Sequence, residues 1–182
     1  MPNWCSNTLE VFGTECQIKH FRKEISGVPW QNTFDLGSFS EFTFNSIIPV
    51  PKKLIKKSIK DASNSEWYDF CCDSWGTKWD ATDVCFSSQE IENKVLLTIH
   101  FETAWSPPMG IFMRMATKFK HLDFSAFWME EGMAFKGSFV VEKGIIVEEC
   151  DSEMTLEDYH ELGYHEDEGS EDSNCLLCIL KE

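Results

Sequence analysis

The chain has 182 residues, of which 42% are hydrophobic and 14% aromatic, and its formal net charge at pH 7 is −15. This composition excludes an intrinsically disordered chain, a coiled coil and a collagen-like repeat. No stretch approaches the roughly 20 apolar residues of a membrane-spanning helix, and the segment from Met1 to Cys5 lacks the features of a secretory signal, so we expect a cytoplasmic globular protein without a membrane partner.

The first predicted elements are one strand and one helix. Partial alternation over Thr8–Phe12 predicts a strand that Gly13 ends. Thr14 and Gln17 then form a capping-box pattern, and the apolar residues that follow recur at helical spacing. This pattern predicts a helix over residues 15–25.

A long insertion follows, covering residues 28–80. It contains a basic helix around residues 52–60 and an irregular aromatic segment that ends at Asp80. Four of the seven tryptophans of the chain lie in it: Trp30, Trp67, Trp75 and Trp79. A segment of this length is usually functional or disordered, and its tryptophan content favours an ordered functional insertion.

The second half of the chain reads as two strands, a helix and a hairpin. Strands are predicted over Val84–Ser87, Lys94–Phe101, Leu122–Met129 and Ala134–Val141, and a helix over residues 108–119. The resulting order predicts an α+β domain over residues 1–147. We expect a ferredoxin-like split βαβ arrangement with a mainly antiparallel sheet and its helices on one face.

The remaining residues, 148–182, are predicted to form an acidic tail. They carry a net charge of −12, whereas residues 1–147 carry only −3. Thr155 and Asp158 form a second capping pattern, so part of the tail is expected to be helical. One hypothesis is that the tail folds back on the basic helix, and the alternative is a free, self-repelling tail that improves solubility.

Several motifs in the body of the chain resemble one known family. They are Met1-Pro2-Asn3-Trp4-Cys5-Ser6-Asn7, Trp75-Gly76-Thr77-Lys78-Trp79-Asp80, Thr103-Ala104-Trp105-Ser106-Pro107-Pro108, and the hairpin from Glu130-Glu131-Gly132 to Phe135-Lys136-Gly137. In this order they resemble the YubB ferredoxin-like family of phage and plasmid proteins, over residues 1–143. The resemblance implies a ferredoxin-like domain carried on mobile elements, and it implies no activity.

The most unusual chemistry lies in two of these motifs. The candidate residues for binding a ligand or partner are Trp75, Lys78, Trp79, Asp80, Thr103 and Trp105. Tryptophan offers a large apolar surface with one N–H donor, and the polar residues can fix an orientation, as a stacking pocket requires. The alternative, which we favour, is that these tryptophans form a second small core in which Asp80 accepts an indole N–H.

The predicted basic helix carries five lysines along one face: Lys52, Lys53, Lys56, Lys57 and Lys60. Such a face can contact phosphates with a salt-dependent affinity, or it can be an ordinary solvated face. No arginine lies nearby to read bases. Direct binding of nucleic acid is therefore expected to be weak.

A zinc site is a minor hypothesis, and no cofactor is expected. His160, His165, Cys175 and Cys178 supply suitable ligand types, but in the reverse of the familiar order. The apolar residues around the two cysteines can instead form a terminal anchor. Without a secretory signal, the eight cysteines are expected to be reduced thiols.

No catalytic motif is present, so an enzyme is the minority interpretation. There is no nucleophile elbow, phosphate-binding loop or paired histidine motif. We expect a non-enzymatic binding protein of phage or plasmid origin that acts on a host protein or nucleoprotein, for instance in counter-defence. The alternative is an enzyme or small-ligand-binding domain that uses the aromatic pocket from Trp75 to Asp80 with Trp105.

Overall fold

The chain forms one antiparallel sheet with helices, as described for residues 3–30, 38–61 and 63–162 by a computed structural model. The strands are β1 (Trp4–Gly13), β2 (Thr82–Ile91), β3 (Lys94–Ala104), β4 (Asp123–Glu130), β5 (Phe135–Glu142) and β6 (Ile145–Glu153). The helices are α1 (Glu15–Ile25), α2 (Phe44–Ile47), α3 (Lys52–Lys60), α4 (Glu66–Trp75), α5 (Met109–Lys118) and α6 (Leu156–Glu161). The strand order is β2-β3-β1-β4-β5-β6, and all neighbouring strands are antiparallel.

The first four strands have the arrangement of a ferredoxin-like domain. β3 lies between β1 and β2, and β1 lies between β3 and β4. The segments β1-α1-β2 and β3-α5-β4 are therefore split βαβ units, in which an antiparallel strand separates the two parallel ones. The predicted ferredoxin-like α+β fold is confirmed.

Helices α1 and α5 pack on the same face of the sheet, as the predicted fold requires. Buried and more exposed residues alternate along β1, and Cys5, Leu9 and Val11 are on the buried side. Phe21 of α1 meets Phe119 at the end of α5 edge-to-face, with ring centroids 5.0 Å apart. One continuous core therefore lies between the two helices and the sheet.

The described part of the insertion packs on this core. Residues 66–75, predicted from the sequence as irregular, form α4. This helix ends at Gly76, whose φ of 90° is a left-handed conformation that glycine adopts without strain. In its last turn Trp75 is fully buried and contacts Phe44 edge-to-face, with ring centroids 5.6 Å apart. The insertion thus adds aromatic residues to the core.

The first part of the predicted acidic tail belongs to the sheet instead. β6 pairs with β5 along its length, and α6 then returns toward β5. There the Lys136 ammonium donates to the Asp158 carboxylate at 2.6 Å, and the Tyr159 hydroxyl donates to the Glu131 carbonyl at 3.0 Å. The predicted helix is present, but these contacts hold it on β5 and the β4–β5 turn rather than on the basic helix.

The contact of α6 with β5 is expected to be lost in acid. A hydrogen bond from Lys136, with further bonds from Thr155, lowers the pKa of Asp158 to about 2. Because the pKa of Asp158 is lower in the native state, its contact with Lys136 stabilises the docking of α6 fully when the pH is above the ordinary pKa of 3.8. This stabilisation is lost as the pH falls through the native pKa of about 2. Amide hydrogen exchange in α6, corrected for its intrinsic pH dependence, should therefore rise between about pH 4 and pH 2. Asp158→Asn should show weakened protection at neutral pH, and protection equal to that of the unaltered chain would contradict this assignment.

Candidate functional site

The motifs that the sequence analysis singled out meet at one end of the sheet. Trp4 at the start of β1 pairs with Ala104 at the end of β3, and Cys5 pairs with Glu130 at the end of β4. At the start of β2, Thr82 pairs with Glu102. The ends of these four strands therefore bring together residues that are up to about 130 positions apart in sequence.

An aromatic cluster covers one side of this end, and we define it as Trp4, Tyr68, Lys78, Trp79 and Trp105. The Lys78 ammonium lies 4.3 Å from the ring centroid of Trp79, 5.1 Å from that of Trp105 and 5.8 Å from that of Tyr68. The rings of Trp4 and Trp79 are 6.2 Å apart. These are cation–π distances, so Lys78 holds the surrounding rings in place.

The backbone is strained at two residues of this region. Trp105 has a φ of 69° and Asp83 a φ of 49°, which are unusual values for residues other than glycine. Trp105 is fixed by its backbone N–H, which donates to the Asn3 carbonyl at 3.0 Å. Asp83 lies in an irregularity of β2, between the pairs of Thr82 and Cys85. Strain of this kind is retained where the surrounding structure enforces it, and it is concentrated at functional sites.

A carboxylate cleft of about 430 Å³ adjoins the aromatic cluster and shares Trp4 with it. It is lined by Asn3, Trp4, Ser6, Asp83, Glu102, Glu130, Glu131 and Gly132. The Ser6 hydroxyl donates to Oε1 of Glu102 at 2.7 Å, whereas Oε2 of Glu102 is buried and accepts no hydrogen bond from the described residues. The cleft therefore presents negative charge, while the buried Oε2 of Glu102 lies behind its surface without a hydrogen-bond donor among the described residues.

Glu130 in this cleft stabilises the turn that follows β4. Its side chain is 1% exposed, and its two carboxylate oxygens accept the backbone N–H groups of Gly132 at 3.0 Å and Met133 at 2.6 Å. A Cβ atom on Gly132 would lie 2.4 Å from the side-chain nitrogen of Asn3, so a larger residue would displace the Asn3 side chain from the start of β1. The β4–β5 turn is thereby fixed against the rim of the cleft.

The structure divides the sequence-predicted ligand residues into two groups. Lys78, Trp79 and Trp105 belong to the aromatic cluster, while Trp75, Asp80 and Thr103 are buried. The Trp75 indole donates to the Ile48 carbonyl at 2.9 Å. The Thr103 hydroxyl accepts from the Asn7 amide at 2.9 Å and donates to the Ser106 carbonyl at 2.8 Å. Trp75, Asp80 and Thr103 therefore stabilise the surrounding loops, and they are too buried to contact a ligand or partner.

Asp80 organises the segment that leads into α2. It is 5% exposed, and it accepts from the Thr43 hydroxyl and the Phe44 N–H, each at 2.6 Å, and from the Ala81 N–H at 2.9 Å. Removal from water raises the pKa of this carboxyl above its usual range. The partners of Asp80 are thus backbone and hydroxyl groups rather than the indole N–H that the sequence suggested.

The buried thiols near the site are unsuited to nucleophilic chemistry. Desolvation raises the pKa of Cys5 to about 12, and it does the same for Cys71. A thiol with this pKa carries almost no thiolate at neutral pH, and the thiolate is the reactive form. Neither cysteine is therefore an activated nucleophile.

The basic face lies on α3, where Lys52, Lys53, Lys56, Lys57 and Lys60 surround a shallow surface depression. Lys57 pairs with Glu66 of α4, its ammonium donating to both carboxylate oxygens, with 2.7 Å to Oε2. None of the α3 residues is buried. These lysines form a surface of their own, and none of them lines the carboxylate cleft.

Neither a metal centre nor a membrane span is found in the described ranges. No group of three or more histidine, cysteine or acidic side chains there is arranged to hold a metal ion. Of the zinc candidates, His165, Cys175 and Cys178 lie outside the described residues, as does the side chain of His160. No helix in residues 3–30, 38–61 and 63–162 is long and apolar enough to cross a membrane.

Most of the residues that line the cleft were not singled out as candidates from the sequence, among them Trp4, Asp83, Glu102 and Glu131. Trp4 and Glu131 do lie in the motifs that carry the family resemblance, and that signal pointed toward them. Asp83 and Glu102 carry no local signal, because a single acidic residue on a strand does not by itself indicate a site. Only the pairing of β2 with β3 and of β3 with β1 brings them to the same end of the sheet.

Comparison with known proteins agrees with the fold. A family model described as "Ferredoxin-like domain in Api92-like protein" matches residues 74–172, a region that includes β6 and α6. The structure is similar to the crystal structure of the protein api92 from Yersinia pseudotuberculosis, with a TM-score of 0.55 and 10% sequence identity over 85% of this chain and 99% of that one. Among curated proteins, none matches the sequence. At this identity the structural likeness shows the fold alone.

Proposed function

We propose that this chain, which belongs to the family of Api92-like proteins with a ferredoxin-like domain, is a non-enzymatic module that binds another protein. The contact surface is the aromatic cluster together with the carboxylate cleft. The partner presents an apolar patch to the indole rings and a basic side chain to the cleft.

The exposure of two tryptophans carries this proposal. Trp4 is 43% exposed and Trp105 is 42% exposed, although both are large apolar side chains at the ends of paired strands, Trp4 at the start of β1 and Trp105 directly after β3. Tryptophan is enriched among residues that dominate the energy of protein interfaces. Trp105 also keeps a backbone conformation that favours glycine, so the fold bears a cost to present this ring.

The cleft defines the charge of the partner. Asp83 and Glu131 are exposed at its rim, and Glu102 also lines it. A guanidinium or ammonium group satisfies a carboxylate with strong, charge-assisted hydrogen bonds. A phosphate group would be repelled, which disfavours nucleic acid at this surface; weak, salt-dependent contacts of nucleic acid are left to the lysines of α3.

The resemblance to YubB proteins supports a more specific role. If the chain is carried by a phage or plasmid, its partner is a host protein or nucleoprotein in the cytoplasm, and counter-defence is one process that fits. An enzyme or small-ligand site is the second candidate, because a cleft of about 430 Å³ has the size of a small-molecule pocket. The outward-facing rings, together with the raised pKa values of the buried Cys5 and Cys71 thiols beside the site, favour the binding protein.

The test is the substitution Trp105→Gly. Glycine removes the ring and relaxes the backbone at a φ of 69°, and this relief offsets part of the packing lost with a half-exposed ring, so the stability of the fold should change by no more than about 1 kcal/mol. Loss of a central interface tryptophan should weaken partner binding by about 2 kcal/mol or more, which is roughly 30-fold. Affinity capture from the host followed by titration of the captured protein measures this effect.

Phe39→Ala is the matched control, because Phe39 is another exposed aromatic residue, with 67% exposure, outside the cluster. This variant should capture the same partner as the unaltered chain. The proposal is overturned if Trp105→Gly retains full affinity for the captured protein, or if both variants lose it equally.

A further inference from the structure

The outer edge of β6 has no neighbouring strand in the part of the chain that the structure describes. β6 stands last in the strand order and pairs with β5 on its inner side. All nine of its residues are exposed. The contacts of α6 with Lys136 and Glu131 also lie on the inner side of β6. The edge therefore presents a row of backbone N–H and C=O groups to which another strand can be added.

Burial of apolar side chains does not explain why β6 is part of the sheet. β2, at the other edge of the sheet, has Val84 and Phe86 packed against the core, and Arg22 lies over the Phe86 ring at 4.9 Å. β6 contributes no residue to the core. It begins with three exposed apolar residues instead: Ile145 is 66%, Ile146 is 40% and Val147 is 54% exposed. These residues leave an apolar surface beside the open edge.

The second half of β6 carries a row of negative charges on one face. Glu149, Asp151 and Glu153 pair with alternate residues of β5, Phe139, Gly137 and Phe135, which face the helices. Successive carboxylates on one face of a strand are about 7 Å apart. These three side chains make no hydrogen bond or ion pair with the other described residues, and β6 contains no lysine or arginine. No basic side chain among the described residues therefore pairs with these three carboxylates.

We propose that β6 binds an extended basic segment of another protein, which joins the sheet as an additional strand. Lysine or arginine at alternate positions of this segment lies opposite Glu149, Asp151 and Glu153, and its apolar residues cover Ile145–Val147. Backbone hydrogen bonds supply affinity, and the alternating charges supply register and specificity. This surface is distinct from the aromatic cluster and does not depend on the function proposed for it.

Charge also argues against the most obvious competitor, which is a second copy of this chain. Two β6 strands paired antiparallel along their lengths would place Glu149 directly opposite Glu149 of the other copy, and Asp151 and Glu153 opposite the apolar Val147 and Ile145. Like charges in directly opposed positions destabilise a strand pair, and neither copy supplies a cation for the remaining carboxylates. A basic partner strand supplies those cations, so the acidic row favours it over self-association.

The proposal is tested by titrating the full chain with a blocked peptide of alternating valine and lysine, roughly eight residues long. NMR should show binding, with the largest shifts at the amides of residues 145–153. The same peptide with alternate backbone nitrogens methylated keeps its charge but cannot pair along one edge. It should bind at least about tenfold more weakly, because several backbone hydrogen bonds are lost.

Two matched variants test the acidic row. Glu149→Gln/Asp151→Asn should weaken peptide binding at least about tenfold, whereas Glu90→Gln/Glu92→Gln, with the same loss of charge near the β2 edge, should leave it within about twofold. Trp105→Gly should also bind the peptide normally, which separates this proposal from the first. Equal binding of the methylated peptide, equal effects of the two double variants, or self-association through β6 would each overturn it.

Discussion

Replacement of Asp80 by alanine is expected to lower the free energy of unfolding by about 2–4 kcal/mol. The substitution leaves the Thr43 hydroxyl and the N–H groups of Phe44 and Ala81 without the acceptor that they now share. All three donors lie around a side chain that is only 5% exposed, so water cannot replace the carboxylate. Chemical denaturation at neutral pH measures the loss.

Asp80→Asn is the matched control, because an amide has nearly the same size and shape as the carboxyl group. Its oxygen can accept from Phe44 and Ala81, and its NH₂ group can donate to the Thr43 hydroxyl oxygen. We expect this variant to cost less than about 1 kcal/mol. If alanine and asparagine cost the same, the hydrogen bonds of Asp80 contribute little and the assignment is wrong.

The unaltered chain and the Asp80→Asn variant should also differ in how their stability depends on pH. Desolvation raises the native pKa of Asp80 above the ordinary value of 3.8, so between these two pKa values the native state holds a proton that the unfolded chain has released. The contribution of protonated Asp80 to the free energy of unfolding is complete below the pKa that Asp80 has in the unfolded chain. It is lost as the pH rises through the pKa that Asp80 has in the native state. Relative to Asp80→Asn, the unaltered chain should therefore lose stability as the pH rises above about 4.

Phe112→Ala is expected to destabilise the protein by about 3–5 kcal/mol, because it opens a cavity in the core. Phe112 is 1% exposed and is stacked near Trp128 and Phe139, with ring centroids 6.2 and 6.1 Å away. These three rings link α5 to β4 and β5, so the lost contacts cannot be recovered by a local shift.

The neighbouring substitution Met113→Ala provides the comparison for Phe112. Met113 is on the same helix but 40% exposed, and its truncation should change stability by no more than about 1 kcal/mol. Equilibrium denaturation of the two variants distinguishes the buried from the exposed side of α5. A loss below about 1 kcal/mol for Phe112→Ala would show that this side was misassigned.

The sequence by itself determined the features that depend on local periodicity and capping. The capping box of Thr14 and Gln17 is present with both of its hydrogen bonds, and α1 has the predicted bounds. The apolar spacing of α5 and the alternation in β3, β4 and β5 likewise placed those elements, and their order was enough to identify the ferredoxin-like topology. These signals are local because helices and strands repeat at fixed periods of about 3.6 and 2 residues.

The tertiary structure decided which of these residues are buried and which meet at the candidate site. Trp75 and Trp105 are both tryptophans in conspicuous motifs, yet one is fully buried and the other is 42% exposed. β6 has no alternation of apolar and polar residues, because all of its side chains are exposed and it is stabilised by pairing with β5. Asp83 and Glu102 join the cleft through strand register alone. Burial and proximity of this kind arise from contacts between residues that are distant in sequence, and no local pattern encodes them.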